Sequence, residues 1–427
     1  MLPPDHAQRT ALNDEVHARP PEQLTAPARV SFLALLADGA LRERVWRSVI
    51  DLAARFDAPP PAPGANHYSR DLGKFRFTAE RHTEFVRFNF IVAGVGADPF
   101  LDPAIAAVPA EWVAALPGRV IVATHVALLP EQQPPLEQRD TAARFFSGNM
   151  LVGASIAGGA GFALTDFRIH ADGFGRLLVE DRGMTPGQAG RAVQRLLEID
   201  TYRMMALLAL PLAREVAPVL TGIERELAGI TGALVSAGEQ EEPGLLERLT
   251  RLAAEIESRQ SETLFRFGAA SAYYDLVQRR TVELREERIQ GLQTFREFIE
   301  RRLAPAMNTC RSVAGRQDAL SVRVARATQL LSTRVNLTRE RQNQALLASM
   351  DRRAQLQLRL QETVEGLSVA AITYYVVSLV GHAAEALEAA GVHVSPALAM
   401  GVAIPVVAIL VALGVRRLRR VVSRAHR

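Results

Sequence analysis

PALAMGVAIPVVAILVALGV, residues Pro396–Val415, is a run of twenty residues without a single charge. A helix of about 20 apolar residues crosses the hydrocarbon core of a bilayer, so this stretch decides the architecture: the chain is expected to enter a membrane. Just upstream, LSVAAITYYVVSLVGHAAEAL (Leu367–Leu387) begins with about fifteen uncharged, mildly polar residues. On length and polarity alone it also reads as a buried soluble helix. Its surroundings favour a span. Arg352, Arg353 and Arg359 precede it, and Arg416, Arg417, Arg419, Arg420, Arg424 and Arg427 follow the second run. The connection His382–Ser395 holds Glu385 and Glu388 but no lysine or arginine. Basic flanks stay in the cytoplasm, so the expectation is a hairpin of two spans, about 367–386 and 396–415, with both termini inside.

Several residues in the hairpin are unusual for lipid. Gly401 and Pro405 are tolerable where neighbouring helices satisfy the backbone. Ser368, Thr373, Tyr374, Tyr375 and Ser378 lie deep in the first span, where hydroxyls prefer a helix interface or a water-filled path.

Between Pro305 and Pro396 there is no proline. Leu320, Val324, Leu331, Val335, Leu346, Met350 and Leu360 recur at roughly helical spacing among charges, which predicts one long helix from about Ala306 into the first span. About sixty residues at 1.5 Å each would make a stalk on the order of 90 Å before the bilayer. So long a helix with so thin an apolar stripe needs neighbours. The charged, heptad-like segment Leu245–Arg302 can supply them, as an antiparallel hairpin turning near Pro305 or within an oligomeric stalk. Acidic and basic residues alternate on this face, so no nucleic-acid partner is expected.

Residues 1–183 have a different texture, with short apolar runs bounded by Gly, Pro and Asp. Strands are expected at Phe75–Ala79, Phe85–Gly94, Arg119–Ala127, Met150–Ala157, Gly161–His170 and Gly175–Val179. Helices are expected at Ala28–Leu36, Leu41–Phe56, Pro109–Leu116 and Gln138–Ser147. This predicts an α+β fold overall: a cytoplasmic N-terminal domain with a mostly antiparallel sheet (1–183), a helical section (184–305), the stalk (306–365), the hairpin (366–415) and a basic tail (416–427). Met1–Thr10 is polar and carries no apolar core of a secretory signal, so none is expected. The lone cysteine, Cys310, excludes an intramolecular disulfide and reads as a small helix residue.

Two clusters invite a chemical reading. One contains His17 and Arg19. In the other, Glu80, His82 and Glu84 would share one face if extended, a carboxylate and imidazole set of the kind that holds a metal; the same residues also read as a turn between strands with its charges paired. The metal question stays open at this point. The glycine-rich stretch Gly153–Gly161 lacks the Lys-Ser/Thr ending of a phosphate loop and reads as a tight turn. No nucleophile elbow or zinc-protease motif occurs; no catalytic residue or cofactor is expected, and an enzyme using the His17 or His82 cluster is the remote alternative.

LNDEVHARP (Leu12–Pro20), ERHTEF (Glu80–Phe85) and LLEIDTYRMMALLALPLAR (Leu196–Arg214) resemble a bacterial family known as domain of unknown function 3422, described as membrane-anchored. That resemblance implies a shared fold and membrane attachment, and no activity. A second, architectural resemblance is to the CorA family of divalent-cation channels, pentamers whose first spans line the pore below a Gly-Met-Asn motif. Here the corresponding place reads Gly381-His382-Ala383, so the asparagine that holds a hydrated cation is absent.

The leading expectation is an oligomeric cation channel or transporter in a bacterial inner membrane, a pentamer if the resemblance holds. Tyr374, Ser378, Gly381 and His382 would lie near its pore, with Glu385 and Glu388 drawing cations, divalent ones included, to the mouth. The alternative is a non-conducting anchored protein whose cytoplasmic domain binds a partner or ligand.

Overall fold

The computed structural model describes residues 3, 5–10, 12–13, 21–132, 138–391 and 395–425, with side chains to residue 417. The chain divides into two compact units, Met1–Ser236 with Glu247–Thr328, and Ala237–Leu246 with Gln329–Arg427.

The first unit is built on strands β1 (Ala28–Leu36), β2 (His67–Asp71), β3 (Arg76–Arg81), β4 (Phe85–Ala93), β5 (Arg119–Pro130), β6 (Val152–Ile156), β7 (Gly161–Thr165) and β8 (Gly175–Asp181). They form one eight-stranded sheet in the order β2-β3-β4-β1-β5-β8-β7-β6. Only β5 and β8 run parallel, so the sheet is mostly antiparallel as expected. Helices α1 (Gly39–Arg55), α2 (Ala110–Ala114) and α3 (Gln138–Phe145) fall where the sequence predicts them.

Ala28–Leu36 is a correction: ARVSFLALL is a strand, not a helix. It lies at the centre of the sheet between β4 and β5, where both faces are covered. A strand buried on both sides shows no period-2 alternation, so its apolar run reads like a short helix. The edge strand β2, HYSRD, is absent from the expected set because an edge position leaves half of its residues polar and exposed. The glycine-rich segment is the expected turn, with Gly158 and Gly159 at positive φ between β6 and β7.

One face of β3 and β4 is aromatic. Phe77, Phe88 and Phe90 pack around Trp112 and beneath Val45, Trp46, Val49 and Leu52 of α1, all of them buried. Each of these eight side chains would contribute about 1.5–3 kcal/mol of burial before the entropy of ordering is counted. The opposite face carries Thr78, Glu80, Arg87 and Asn89 and is covered by α4 (Pro186–Leu207).

Thr185 and Gln188 cap α4 reciprocally, fixing where it starts. Near its first turns the backbone of Glu22 lies directly on Gly190; a Cβ there would sit 1.6 Å from the Glu22 carbonyl oxygen. Leu24 donates its N–H to the Pro186 carbonyl, which ties the segment after LNDEVHARP to the same helix. Gly190→Ala is therefore expected to lower the stability of this unit by about 1–3 kcal/mol, because backbone must move to admit the methyl group. Thermal unfolding of the purified variant checks this.

Helices α5 (Ala209–Ser236), α6 (Glu242–Glu283), α7 (Phe295–Arg302), α8 (Ala304–Ala389) and α9 (Pro396–Ala425) follow. In the first unit α6 and the start of α8 run antiparallel, joined by Thr263–Gln317 and Gln260–Asp318 hydrogen bonds at 3.2 and 2.8 Å. Arg316 on α8 pairs with Glu224 on α5 at 2.8 Å. Met307, Cys310, Val313, Leu320 and Val324 form the buried stripe of α8 here. Cys310 is a free, buried thiol, and burial pushes its pKa up, as suits a packing residue. The sheet and much of the helical section thus share one unit.

In the second unit α8 continues unbroken to Ala389, as the missing prolines predict. From Arg339 to Val364 almost every residue is exposed, including Leu346, Met350, Leu356 and Leu360.

Candidate functional site

The pairing register puts His67, Glu80 and Arg87 side by side on β2, β3 and β4. Their side chains face α4, which brings Glu198 down onto Arg87. Arg87 donates to Glu80 at 2.6 Å and to Glu198 at 3.2 Å. Glu198 also accepts from Arg280 on α6 and from Gln194 at 2.8 Å, and Arg280 goes on to Glu283 at 3.0 Å. Glu80, Arg87 and Glu198 are all buried. Two carboxylates and two guanidiniums balance, which is how charge is tolerated out of water.

The electrostatics follow from this packing. Burial opposes the charge on Arg87, but Glu80 and Glu198 outweigh it and hold the guanidinium firmly protonated. Burial pushes the Glu198 carboxyl up; Arg87 and Arg280 pull it further down, so it stays ionised below the usual carboxylate range.

The neighbouring turn belongs to the same assembly. Glu84 is held bidentate by Arg266 of α6 at 2.7 and 3.2 Å. His82 stacks on Phe85 with ring centroids 4.3 Å apart. Tyr202 and Tyr273 stack at 5.8 Å beside Phe85. Burial, with Glu84 and Tyr202 adding to it, keeps the Tyr273 phenol protonated, and burial pushes Tyr202 to about 12. The cavity bordered by Glu22, His67, Glu80, Arg87 and Gln194 encloses only about 40 Å³, room for a few water molecules. This network is a clamp between sheet and helices.

Glu80, His82 and Glu84 do not converge. Glu80 lies on β3 toward Arg87, Glu84 turns to Arg266, and His82 sits between them with Nε2 3.7 Å from Glu80. Of the two readings of ERHTEF, the geometry is that of the turn with paired charges. Among the described residues no three His, Cys, Asp or Glu side chains group to hold a metal. His17 and Arg19 lie outside the described residues. Arg87, Glu198 and Arg280 are the site members that sequence reading missed; the only signal was an arginine inside the apolar strand FVRFNF.

The family model described as Protein of unknown function (DUF3422) matches residues 4–422. The chain belongs to this family. No curated protein and no solved structure matches it. Within this DUF3422 chain, ERHTEF and LLEIDTYR, two of the stretches that carried the resemblance, supply Glu80 and Glu198, the two buried carboxylates of the network.

A second buried polar pair lies further along the sheet. Ser31 on β1 and His125 on β5 are 2.9 Å apart, and the Ser31 oxygen accepts the Ile105 N–H. His125 stacks on Phe174 at 3.9 Å. Burial lowers its pKa to about 4, with Arg176 adding to the shift and Asp172 opposing it. An unfolded histidine titrates near 6.5, so the unfolded state takes the proton first as pH falls. Stability is expected to drop between pH 6.5 and 4, by up to about 3 kcal/mol. Denaturant titrations across that range check it, and His125→Gln should flatten the dependence.

In this DUF3422 member, three helical stretches among the described residues are long and apolar enough to cross a membrane, where the sequence reading counted two. Two contain the expected spans: Phe295–Ala389 and Pro396–Arg417. The third, Pro186–Ser236, covers α4 and α5. Its Leu196, Ile199, Met205, Val216, Leu220 and Ile223 are core residues of the first unit.

In the second unit the two hairpin helices meet along Val377, Gly381 and Ala384, all buried. A Cβ on Gly381 would lie 2.7 Å from the Met400 sulfur of α9. Gly381 therefore faces the other helix of its own hairpin. Ser378 is half-buried, and Tyr374 and His382 are exposed. His382 pairs with Glu385 at 3.3 Å, and Glu388 is exposed. Ser368 and Thr373 donate to the Val364 and Val369 carbonyls at 2.8 and 2.7 Å, so each hydroxyl is satisfied by its own helix.

Proposed function

We propose that the chain is a two-span integral membrane protein of a bacterial inner membrane, whose sheet domain binds a ligand or partner on the cytoplasmic side. In this reading the hairpin locates and oligomerises it. The observation that carries the membrane part is the helix Pro396–Arg417: apolar, uncharged to Val415, with none of its most apolar window buried. Leu398, Val402, Ile409, Leu410 and Leu413 are all more than half exposed. A monomer in water does not sustain so large an apolar patch. In Pro186–Ser236 a third of the most apolar window is buried inside the first unit, against none of it in Pro396–Arg417, which favours the hairpin as the membrane part. Arginines outside both spans and none between them support flanks on the cytoplasmic side.

Self-association rests on Arg339–Val364. A helix with so few buried contacts is marginal alone, and a second copy would cover Leu346, Met350 and Leu360. The measurement is the mass of the detergent-solubilised protein. An oligomer supports this reading, and a monomer removes the self-association from it.

A second reading, an oligomeric cation channel of CorA-like build, is favoured by the exposed His382, Glu385 and Glu388 at the charged end of the hairpin. Gly381 would then serve the seam inside each subunit, and Tyr374 and His382 would be the residues left to line a path. Cation flux into liposomes holding the purified protein tests it; no flux with several cations counts against conduction.

A further inference from the structure

A separate polar pocket of about 340 Å³ opens on the first unit, lined by Arg42, Asn66, Arg81, His82 and Thr83. Four elements meet there: the first turn of α1, the approach to β2, the end of β3 and the turn into β4. Arg81 is fixed by Glu43 at 2.7 Å and by stacking on Trp46 at 4.6 Å. Its N–H donates to the Asn66 carbonyl at 2.8 Å, which holds Asn66 at the rim. Arg42 reaches the carbonyls of His82 and Thr83 at 3.3 Å. Its only side-chain partners among the described residues are these backbone carbonyls, and it makes no ion pair there. Glu43 is engaged with Arg81, and Glu80 with Arg87. A cation without a counter-charge, an amide and a hydroxyl together want several oxygen acceptors on one anion.

We propose that this pocket binds a phosphate group, carried by inorganic phosphate or by a phosphomonoester. The proposal names a ligand class for the binding role given to the sheet domain above, and it is measured independently of membrane insertion or subunit number. Arg42 supplies the charge, Arg81 and Asn66 orient the oxygens, and Thr83 closes the open side. The arginine and threonine of ERHTEF, which the buried network leaves unused, find a role here.

The test is calorimetric titration of the full-length, detergent-solubilised protein with inorganic phosphate and with glycerol 3-phosphate, against chloride at matched ionic strength. Saturable binding of either is expected, and Arg42→Ala should weaken it about ten-fold or more, the loss of a charged donor. Tighter binding of glycerol 3-phosphate assigns the site to a phosphomonoester such as a lipid headgroup; equal or weaker binding assigns it to free phosphate. Thr83→Val, at an exposed turn position, should weaken binding a few-fold and gives the answer if Arg42→Ala does not fold. No saturable binding to the wild type, or binding that neither substitution changes, overturns the proposal.

Discussion

Arg87→Met is expected to destabilise the sheet domain by about 3–5 kcal/mol, the usual cost of removing one partner from a buried ion pair. Methionine replaces the aliphatic stem of the arginine, so the packing of that stem is largely kept while the guanidinium is lost. What remains is Glu80 buried without its guanidinium and Glu198 left to Arg280 alone. Denaturant unfolding of the purified protein reads the loss. The double variant Arg87→Met with Glu80→Gln should lose less than the two single changes added together, since the pair shares one interaction. A loss under about 1 kcal/mol for Arg87→Met would mean that water reaches the site and the clamp is not buried. Lowering the pH should act on the same network. The Glu198 carboxyl is depressed in the folded state, so its contribution is present above the ordinary carboxylate range and is lost as pH falls through the folded value.

Val406→Arg, at the middle of the second span, is expected to cost about 2.5–3.5 kcal/mol of insertion free energy. That corresponds to roughly a hundred-fold shift away from the inserted form, read as loss of protein from the membrane fraction. Leu398→Arg, near the end of the span, should be nearly silent because the long side chain reaches the interface. Equal membrane recovery of Val406→Arg and wild type would mean that α9 does not lie in the hydrocarbon core.

Some of this was legible because the signals are local. Twenty uncharged residues, a long absence of proline and a fringe of arginines mark the two candidate spans and α8 without any tertiary knowledge. The strands β3, β4, β5 and β8 declare themselves by runs bounded with turn residues, and Asp172-Gly173 marks a turn, with Gly173 at positive φ. What failed was set by distant neighbours. β1 looks helical until β4 and β5 are placed on both sides of it. HYSRD looks like loop until it is hydrogen-bonded to β3. LLEIDTYRMMALLALPLAR stands out as a family stretch, but its apolar side belongs to the core of the first unit and its acidic side to Arg87.

The candidate site shows the same division. The turn at ERHTEF was visible as a charged interruption between strands, yet its partners are remote in sequence: Glu84 with Arg266, and Glu80 through Arg87 to Glu198 and Arg280. No spacing rule links residues so far apart. The pocket of Arg42 and Arg81 was invisible for the same reason, since α1 and the β3–β4 turn meet only in the folded sheet.

The central claim is a membrane hairpin with its loop outside and its basic tail inside, and site-directed cysteine labelling tests it most directly. The single native cysteine is buried, so Cys310→Ala gives a blank background. In intact cells a membrane-impermeant maleimide should label Glu388→Cys in the loop and leave Ser423→Cys in the tail unlabelled until the membrane is permeabilised. Labelling of both positions only after permeabilisation, or of both before it, would contradict the two-span topology.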